Sequence, residues 1–531
     1  MPETPLLMAI DLGTGSCRAI LFDLAGNQVA TGQREWSHAS IPGFPGSQVF
    51  DTGRNWPLIC ECIREAIARS RRPASDIAAI SSTSMREGIV LYDAGGREIW
   101  ACPNVDSRAA EEADQLVATG AARRIYEQGG DWVSITSPAR FLWIRRHEPE
   151  TFAAIAHVGM LSDWVLTRLT GAFVTDPSAG SSSNLFDLRT RAWSGESLDL
   201  VGVPRTAVPE VVEPGSVVGR VSDRAADETG LAAGTRVVAG GADTQLGLVG
   251  IGVVQPNRAT LVGGSFWQMT VVTDEPLIDP QARVRTLCHA VPGLWMTEGI
   301  GFYCGIAMRW FRDAFCELES RSAAERGLDA YVVMEEAAAR VPVGSSGVVA
   351  IFSNVMEARR WVQASPSFLQ FDVGDPAGSN RVACIRAIEE QAAYGARAHL
   401  GIIEELTGRR FEELVFTGGA AKGALWPRIV ADVLGVPVRI PAVKESTALG
   451  AALCAGLGVG LYADLSEISA AIVRFERTVE PDRESTDAYA EHYERWRTVY
   501  RRVLQLSEEG LLRPMWWPAG ASSTEPVPQL S

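Results

Sequence analysis

The sequence predicts an α/β protein of two large domains, built twice on one plan, with a cleft between them. Three observations lead there. A chain of 531 residues is too long for one hydrophobic core. An apolar strand running into a glycine turn and back into a strand occurs at Met8–Asp23, and again where Arg258–Val262 leads through Gly263-Gly264-Ser265 to Met269–Thr273. A late strand, Leu414–Phe416, then feeds Thr417-Gly418-Gly419 and an amphipathic stretch from Leu425 to Leu434. We place the domains at 1–250 and 251–513, with a disordered tail over 514–531.

The first hairpin delivers Asp11 to a strand end, ahead of Gly13-Thr14-Gly15-Ser16. Glycines let backbone N–H groups approach an anion, Thr14 and Ser16 add hydroxyl donors, and Asp11 suits a hydrated divalent cation beside the same phosphates. The chain after the turn reads as a strand, whereas a Walker loop or Rossmann turn opens a helix. The plain alternative is an ordinary β-turn.

Further along, Gln28–Glu35 completes a meander and Asp51–Ser70 reads as a helix with Trp56, Ile59, Ile63 and Ile67 on one face. The strand at Ile77–Ser81 runs into Ser84-Met85-Arg86-Glu87-Gly88. Adjacent charges at a strand end form either a surface ion pair or the polar wall of a pocket, and charge pattern alone favours the surface. A second polar cluster, Asn104-Val105-Asp106-Ser107-Arg108, opens a helix over Ala109–Ala118. Val203–Ser222 reads as extended connecting chain, Arg236–Gly240 as a buried strand into Gly241-Ala242-Asp243-Thr244-Gln245, and Leu246–Gly252 as a helix crossing between domains. Near the end, Tyr489, Tyr493, Trp496, Tyr500 and Leu504 form an aromatic stripe at helical spacing, read as a docking face.

Composition sets bounds. Apolar residues make up 46% and charged residues 21%, as in globular proteins. A net charge of −15 argues against a nucleic-acid or anionic-membrane partner. Nine scattered cysteines match neither a disulfide framework nor a zinc site, and point to reduced thiols in a cytoplasm. The N-terminus lacks signal-peptide character. The uncharged run Ser446–Ala463 is diluted by glycines and reads as a buried helix rather than a membrane span.

In order and spacing, Asp11 to Ser16, Arg86-Glu87, Asp106 with Arg108, Gly241-Ala242-Asp243, Gly264-Ser265 and Gly418-Gly419 resemble the FGGY carbohydrate kinases. The resemblance implies two actin-like ATPase (ribonuclease H-like) domains with a catalytic cleft between them. SMREGIVLY at Ser84, IWACPNVDSRA at Ile99, DTQLG at Asp243, SFWQ at Ser265, RWFRDAFC at Arg309 and VKESTALG at Val443 narrow the resemblance to the branch acting on autoinducer-2. Asn104 stands where many sugar kinases of the family carry an aromatic residue, and Gly129–Ala139 aligns least securely. The resemblance implies ATP and Mg²⁺ as cofactors, Asp243 as general base, Asp11 on the metal, and Gly13, Thr14, Gly15, Ser16, Gly264 and Ser265 on the phosphates. It places Gly418 and Gly419 against adenosine, and Arg86, Glu87, Asn104, Asp106, Asp243 and Gln245 around the acceptor, linear dihydroxy-pentanedione. Trp267 and Gln268 are candidates to close that pocket, with Trp267 more often a core residue; Lys422 is either near the nucleotide or solvated. The alternatives are a kinase of a pentulose or sugar alcohol, and a nucleotide-dependent sensor without transfer. A phosphocarrier protein of the sugar phosphotransferase system is a permitted regulator.

Overall fold

The computed structural model describes residues 4–352, 355 and 363–514; the expected tail from residue 515 on lies outside them. The first half is organised on a six-stranded sheet. Its strands are Leu6–Leu12 (β1), Ser16–Phe22 (β2), Gln28–Glu35 (β3), Ile77–Ser84 (β4), then, after a small sheet of Ile89–Tyr92 (β5), Glu98–Cys102 (β6) and His157–Met160 (β7), Val217–Arg220 (β8) and Arg236–Ala242 (β9). The order is β8-β9-β4-β1-β2-β3, with β1, β4 and β9 mutually parallel.

The second half repeats this arrangement. Ala259–Gly263 (β10), Trp267–Thr273 (β11), Arg285–Cys288 (β12), Trp295–Gly301 (β13), Leu414–Thr417 (β14), Val438–Pro441 (β15) and Phe475–Val479 (β16) form the order β12-β13-β11-β10-β14-β15-β16. Here β10 hairpins with β11 as β1 does with β2, and β14 and β15 run parallel to β10 as β4 and β9 do to β1. The weak repeat in short sequence motifs is therefore a full repeat in topology.

Local chemistry explains the main helices. Thr52–Ser70 (α1) starts where the Asp51 carboxylate accepts the Arg54 N–H at 2.9 Å, a cap worth about 1 kcal/mol, and it buries Trp56, Ile59 and Ile63. Ser137–His147 (α2) and Leu161–Thr170 (α3) follow. Asp243–Gly250 (α4) begins three residues earlier than expected, because a carboxylate at the first turn satisfies a free N–H and opposes the helix dipole. Cys304–Phe315 (α5), Arg381–Thr407 (α6), Leu425–Leu434 (α7), Ser446–Gly458 (α8) and Arg483–Glu508 (α9) complete the second half. The aromatic stripe on α9 is a docking face: Tyr489, Trp496 and Tyr500 are buried in the core of that half. Within the expected connecting chain Val203–Ser222, Glu210–Val211 pairs with Val174–Thr175 and Val217–Arg220 with β9.

The uncharged helix α8 packs across the chain rather than within its own half. Its Ala448, Leu449, Ala451 and Ala452 join Leu7, Ala9 and Ile20 of the first sheet and Leu246 and Val249 of α4 in one buried cluster. The α4–α8 crossing is as close as backbones allow. A Cβ on Gly250 would lie 1.9 Å from Ser446 O, and one on Gly450 would lie 2.0 Å from Leu246 O. Among the described residues no helix is long and apolar enough to cross a membrane, and all nine cysteines are buried thiols.

Candidate active site

The parallel strands deliver the chemistry. Asp11 and the Gly13–Ser16 turn lie at the C-terminal end of β1, Arg86 and Glu87 follow β4, and Asp243 follows β9. In the other half Gly418 and Gly419 follow β14, and Lys444 and Glu445 follow β15. Adjacent strand ends are where an open α/β sheet makes a crevice.

Asp11 is 3% exposed and stands in register with Arg18 on β2. Arg18 donates to Asp11 Oδ2 at 2.8 Å and to Glu445 Oε2 at 2.5 Å, so one guanidinium serves two carboxylates from the two ends of the chain. Burial raises the Asp11 carboxyl above its ordinary value; Arg18 opposes this and Glu445 adds to it. The surplus negative charge fits a divalent cation. Among the described residues no three metal-binding side chains gather as a cage, and Mg²⁺ in phosphoryl-transfer sites ordinarily takes one or two carboxylates, with water and phosphate supplying the rest.

The Gly13–Ser16 turn is closed by Gly13 N–H to Ser16 O at 2.9 Å. Trp36 Nε1 donates to the carbonyls of Gly13 and Thr14 at 3.1 Å, and His38 Nε2 reaches the Thr14 carbonyl at 2.8 Å. The carbonyls are thus tied back while Thr14 and Gly15 stay exposed. Thr14 Oγ1 donates to Asn104 Oδ1 at 3.1 Å, which joins the phosphate turn to an acceptor candidate. The second turn, closed by Gly264 N–H to Phe266 O at 3.0 Å, borders a 560 Å³ cavity with Met308, Tyr331, Gly419 and Trp426. An 860 Å³ cleft beside it is lined by Asp243, Gln268, Gly418, Gly419, Lys444 and Glu445. The exposed Lys422 borders both. Between them Gly418 has φ +93°, and a Cβ there would lie 2.6 Å from Gly263 O. Trp267 is core, packed between Phe416 and Trp426.

Asp243 is half-buried at the start of α4, where its Oδ1 accepts the Thr244 N–H at 2.6 Å. Its carboxyl is pushed up to about 6, first by burial; Arg86 opposes this, and the charges of Asp11 and Glu87 reinforce it. Such a group is mostly ionised at neutral pH yet basic enough to take a proton. Asp11, Arg86, Glu87 and Asp243 are therefore one electrostatic unit.

The adjacent charges Arg86 and Glu87 are not a surface pair: they are 6% and 4% exposed, because partners the sequence did not indicate hold them. Arg86 Nη1 donates to Glu298 Oε1 at 2.8 Å, and Arg285 Nη1 donates to Glu87 Oε1 at 2.9 Å. Arg140, on α2, donates to the carbonyls of Glu87, Asn104 and Asp106, so one buried guanidinium pins the backbone of three predicted residues. The Asp106 carboxylate turns into the protein, accepting Gln48 N–H and Arg108 Nε at 2.7 Å. Gln245 is likewise engaged inside, donating to Ser178 O and Cys288 O at 3.3 Å. Asp106 and Gln245 are engaged inside the protein; of the other acceptor candidates Asp243 lines the cleft, Arg86 and Glu87 act on its carboxyl through their charges, and Asn104 meets the Gly13–Ser16 turn at Thr14. Arg18, Arg140, Arg285, Glu298 and Glu445 were given no role by the sequence reading, although Arg18 lay within the first hairpin and Glu445 within VKESTALG.

Comparisons with known proteins converge. The N-terminal domain of the FGGY family of carbohydrate kinases matches residues 6–250 and its C-terminal domain matches 259–459. The autoinducer-2 kinase of Yersinia enterocolitica is 44% identical over 513 residues, 96% of this chain and 97% of that protein. The autoinducer-2 kinase of Klebsiella pneumoniae is 43% identical over 524 residues, 98% of each. The crystal structure of xylulose kinase from Rhodospirillum rubrum superposes with a TM-score of 0.83 at 26% identity, covering 95% of this chain and all of that one.

Proposed function

The chain belongs to the FGGY family of carbohydrate kinases, and from that premise we propose that it transfers the γ-phosphoryl group of ATP to the terminal hydroxyl of autoinducer-2 in its linear form, 4,5-dihydroxy-2,3-pentanedione. The observation that carries this reading is identity of 43–44% over nearly the whole chain with autoinducer-2 kinases, against 26% with the xylulose kinase.

Phosphoryl transfer needs an acceptor oxygen in line with the γ-phosphorus, a neutralised phosphate chain and excluded water. Asp243 accepts the proton of the acceptor hydroxyl as its oxygen attacks; the carboxyl value of about 6 supports this role. Arg86, Glu87 and Asn104 orient the remaining oxygens of the acceptor, which offers little apolar area and is recognised by directed hydrogen bonds. The turns at Gly13–Ser16 and Gly264-Ser265 supply N–H and hydroxyl donors to the phosphates from opposite halves. Gly418 and Gly419 leave a flat backbone against the nucleoside. Asp11, with Glu445 beside it across Arg18, would hold a hydrated Mg²⁺, which would supply charge neutralisation on the phosphates. Because the turns belong to different halves, closure of the cleft assembles the site and keeps water from the phosphoryl group.

The test is ADP release with ATP and Mg²⁺ for the autoinducer-2 precursor beside xylulose, ribulose, glycerol and erythritol. The expected result is preference for the first by kcat/KM. Preference for a pentulose would replace the substrate assignment and retain the kinase; the likeness to the xylulose kinase makes that the second reading.

A further inference from the structure

Glu298 on β13 and Arg285 on β12 lie some two hundred residues along the chain from Arg86 and Glu87, yet they hold both. Glu298 Oε1 accepts Arg86 Nη1 at 2.8 Å and Arg285 Nε at 2.5 Å; Arg285 Nη1 continues to Glu87 Oε1 at 2.9 Å and Asp131 Oδ2 at 3.1 Å. None of the five is more than 6% exposed. Burial drives the Glu298 carboxyl up, but Arg285 and Arg86 overcome it and leave it below its ordinary value, whereas at Asp131 burial outweighs Arg285 and leaves the carboxyl raised. Three carboxylates face two guanidiniums, and buried Glu298 Oε2 has no partner.

The cluster crosses the molecule. Arg86, Glu87 and Asp131 come from the first half, whereas Arg285 and Glu298 stand on the second sheet, paired directly across β12 and β13. Charges this far from water hold one another firmly, since moving one leaves its partners uncompensated. Fixing a guanidinium and a carboxylate in this way gives a small acceptor donors and acceptors at set positions, and makes the second half part of acceptor recognition.

We propose that Glu298 and Arg285 are positioning residues that determine acceptor specificity, fixing Arg86 and Glu87 for a small neutral compound carrying hydroxyls beside a carbonyl. The proposal rests on the assignment of Arg86 and Glu87 to the acceptor side. The surplus carboxylate, with Asp243 within charge reach of Arg86 and Asp11 within reach of Asp243, disfavours an acidic sugar. A neutral ligand that brings hydroxyl donors fits that charge.

Steady-state kinetics of Glu298→Gln and Arg285→Lys test this, using whichever acceptor the wild type phosphorylates with highest kcat/KM, and gluconate as the anionic control. Acceptor KM should rise about 10- to 100-fold, the scale of one charge-assisted hydrogen bond. ATP KM should stay within about twofold, and discrimination between keto acceptors and polyols should narrow. A lower melting temperature with unchanged acceptor KM and unchanged discrimination would overturn the proposal, as would efficient turnover of gluconate by the wild type. Should Glu298→Gln fail to fold, Asp131→Asn replaces the carboxyl that holds Arg285 with a neutral amide and should give a smaller shift in the same direction; no shift refutes the role. Arg86→Lys is assayed alongside. An unmoved acceptor KM there removes the assignment on which the proposal rests, whereas a raised KM in Arg86→Lys but not in the Glu298 and Arg285 variants overturns this proposal alone.

Discussion

Replacing Asp243 with asparagine removes the proton acceptor with little change of shape, since the side-chain oxygen can still accept the Thr244 N–H that it holds at 2.6 Å. The start of α4 should therefore survive, and binding of ATP and acceptor with it. The chemical step should slow by about 10² to 10⁴, the usual worth of a positioned base, or roughly 3–5 kcal/mol of barrier. The carboxyl value of about 6 makes a second, sharper statement. Ionisation falls from roughly nine-tenths at pH 7 to roughly one-tenth at pH 5, so wild-type kcat/KM for the acceptor should drop about tenfold across that interval, the log slope steepening toward one at its acid end. The asparagine variant should lose that acid limb along with its rate. The assay is coupled ADP release from pH 5 to 8, with calorimetric binding of both substrates as the control. Turnover within about threefold of wild type would remove Asp243 from the chemistry. An acid limb that persists in the variant would assign the titration to another group, with Asp11 the first to examine.

Gly418→Ala puts a Cβ 2.6 Å from Gly263 O at φ +93°, so ATP KM should rise and stability fall by about 1–3 kcal/mol; unchanged values of both would mean that the two turns do not need this approach. His289 and His399 are buried, and burial lowers them to about 3 and about 4. Below the unfolded value near 6.5 the unfolded chain takes up protons that the folded chain refuses, so their contribution weakens as pH falls from about 6.5 toward 4. The urea midpoint of His399→Gln should therefore depend less steeply on pH in that window than the wild type does; parallel profiles would refute the assignment. Trp496→Ala empties a site that is 2% exposed and leaves Ala350 O without its 3.0 Å donor, which should cost about 3–5 kcal/mol while kcat per folded molecule stays the same. A change in kcat without loss of stability would show that α9 does more than dock.

The parts of the site legible in the sequence were those whose signal is local. A strand ending in glycine and a carboxylate announces itself within a few residues, which is why the turns at Asp11–Ser16, Gly264-Ser265 and Gly418-Gly419 and the carboxylate of Asp243 were visible, and why the α1 face and the α9 stripe read correctly. Burial of Arg86 and Glu87 was not visible, because it depends on Arg285 and Glu298 from the other half, and no local pattern marks an arginine on one strand as the partner of a glutamate on another. The same holds for Arg140: its position on α2 says nothing about the three carbonyls it collects. Asp106 illustrates the converse. A carboxylate in a polar cluster looks available, but Arg108 two residues later and the Gln48 N–H claim it. Topology was half legible, since the short motifs hinted at a repeat while the strand order that proves it is set by long-range pairing.

The glycine crossing of α4 and α8 has a mechanical consequence. The two helices are counterparts in the repeated halves, each following the outer of the parallel strands that flank the central hairpin, and at their crossing Gly250 faces the Ser446 carbonyl and Gly450 the Leu246 carbonyl. Two points of backbone against backbone, flanked by the small alanines of α8, would serve as a fulcrum should one half turn against the other. Asp243 sits on the same rigid rod as this fulcrum, seven residues before Gly250, or about 10 Å along the helix axis. A turn about the crossing would carry Asp243 through a short arc. On the mechanism proposed above, the proton acceptor would then be displaced little as the cleft closes.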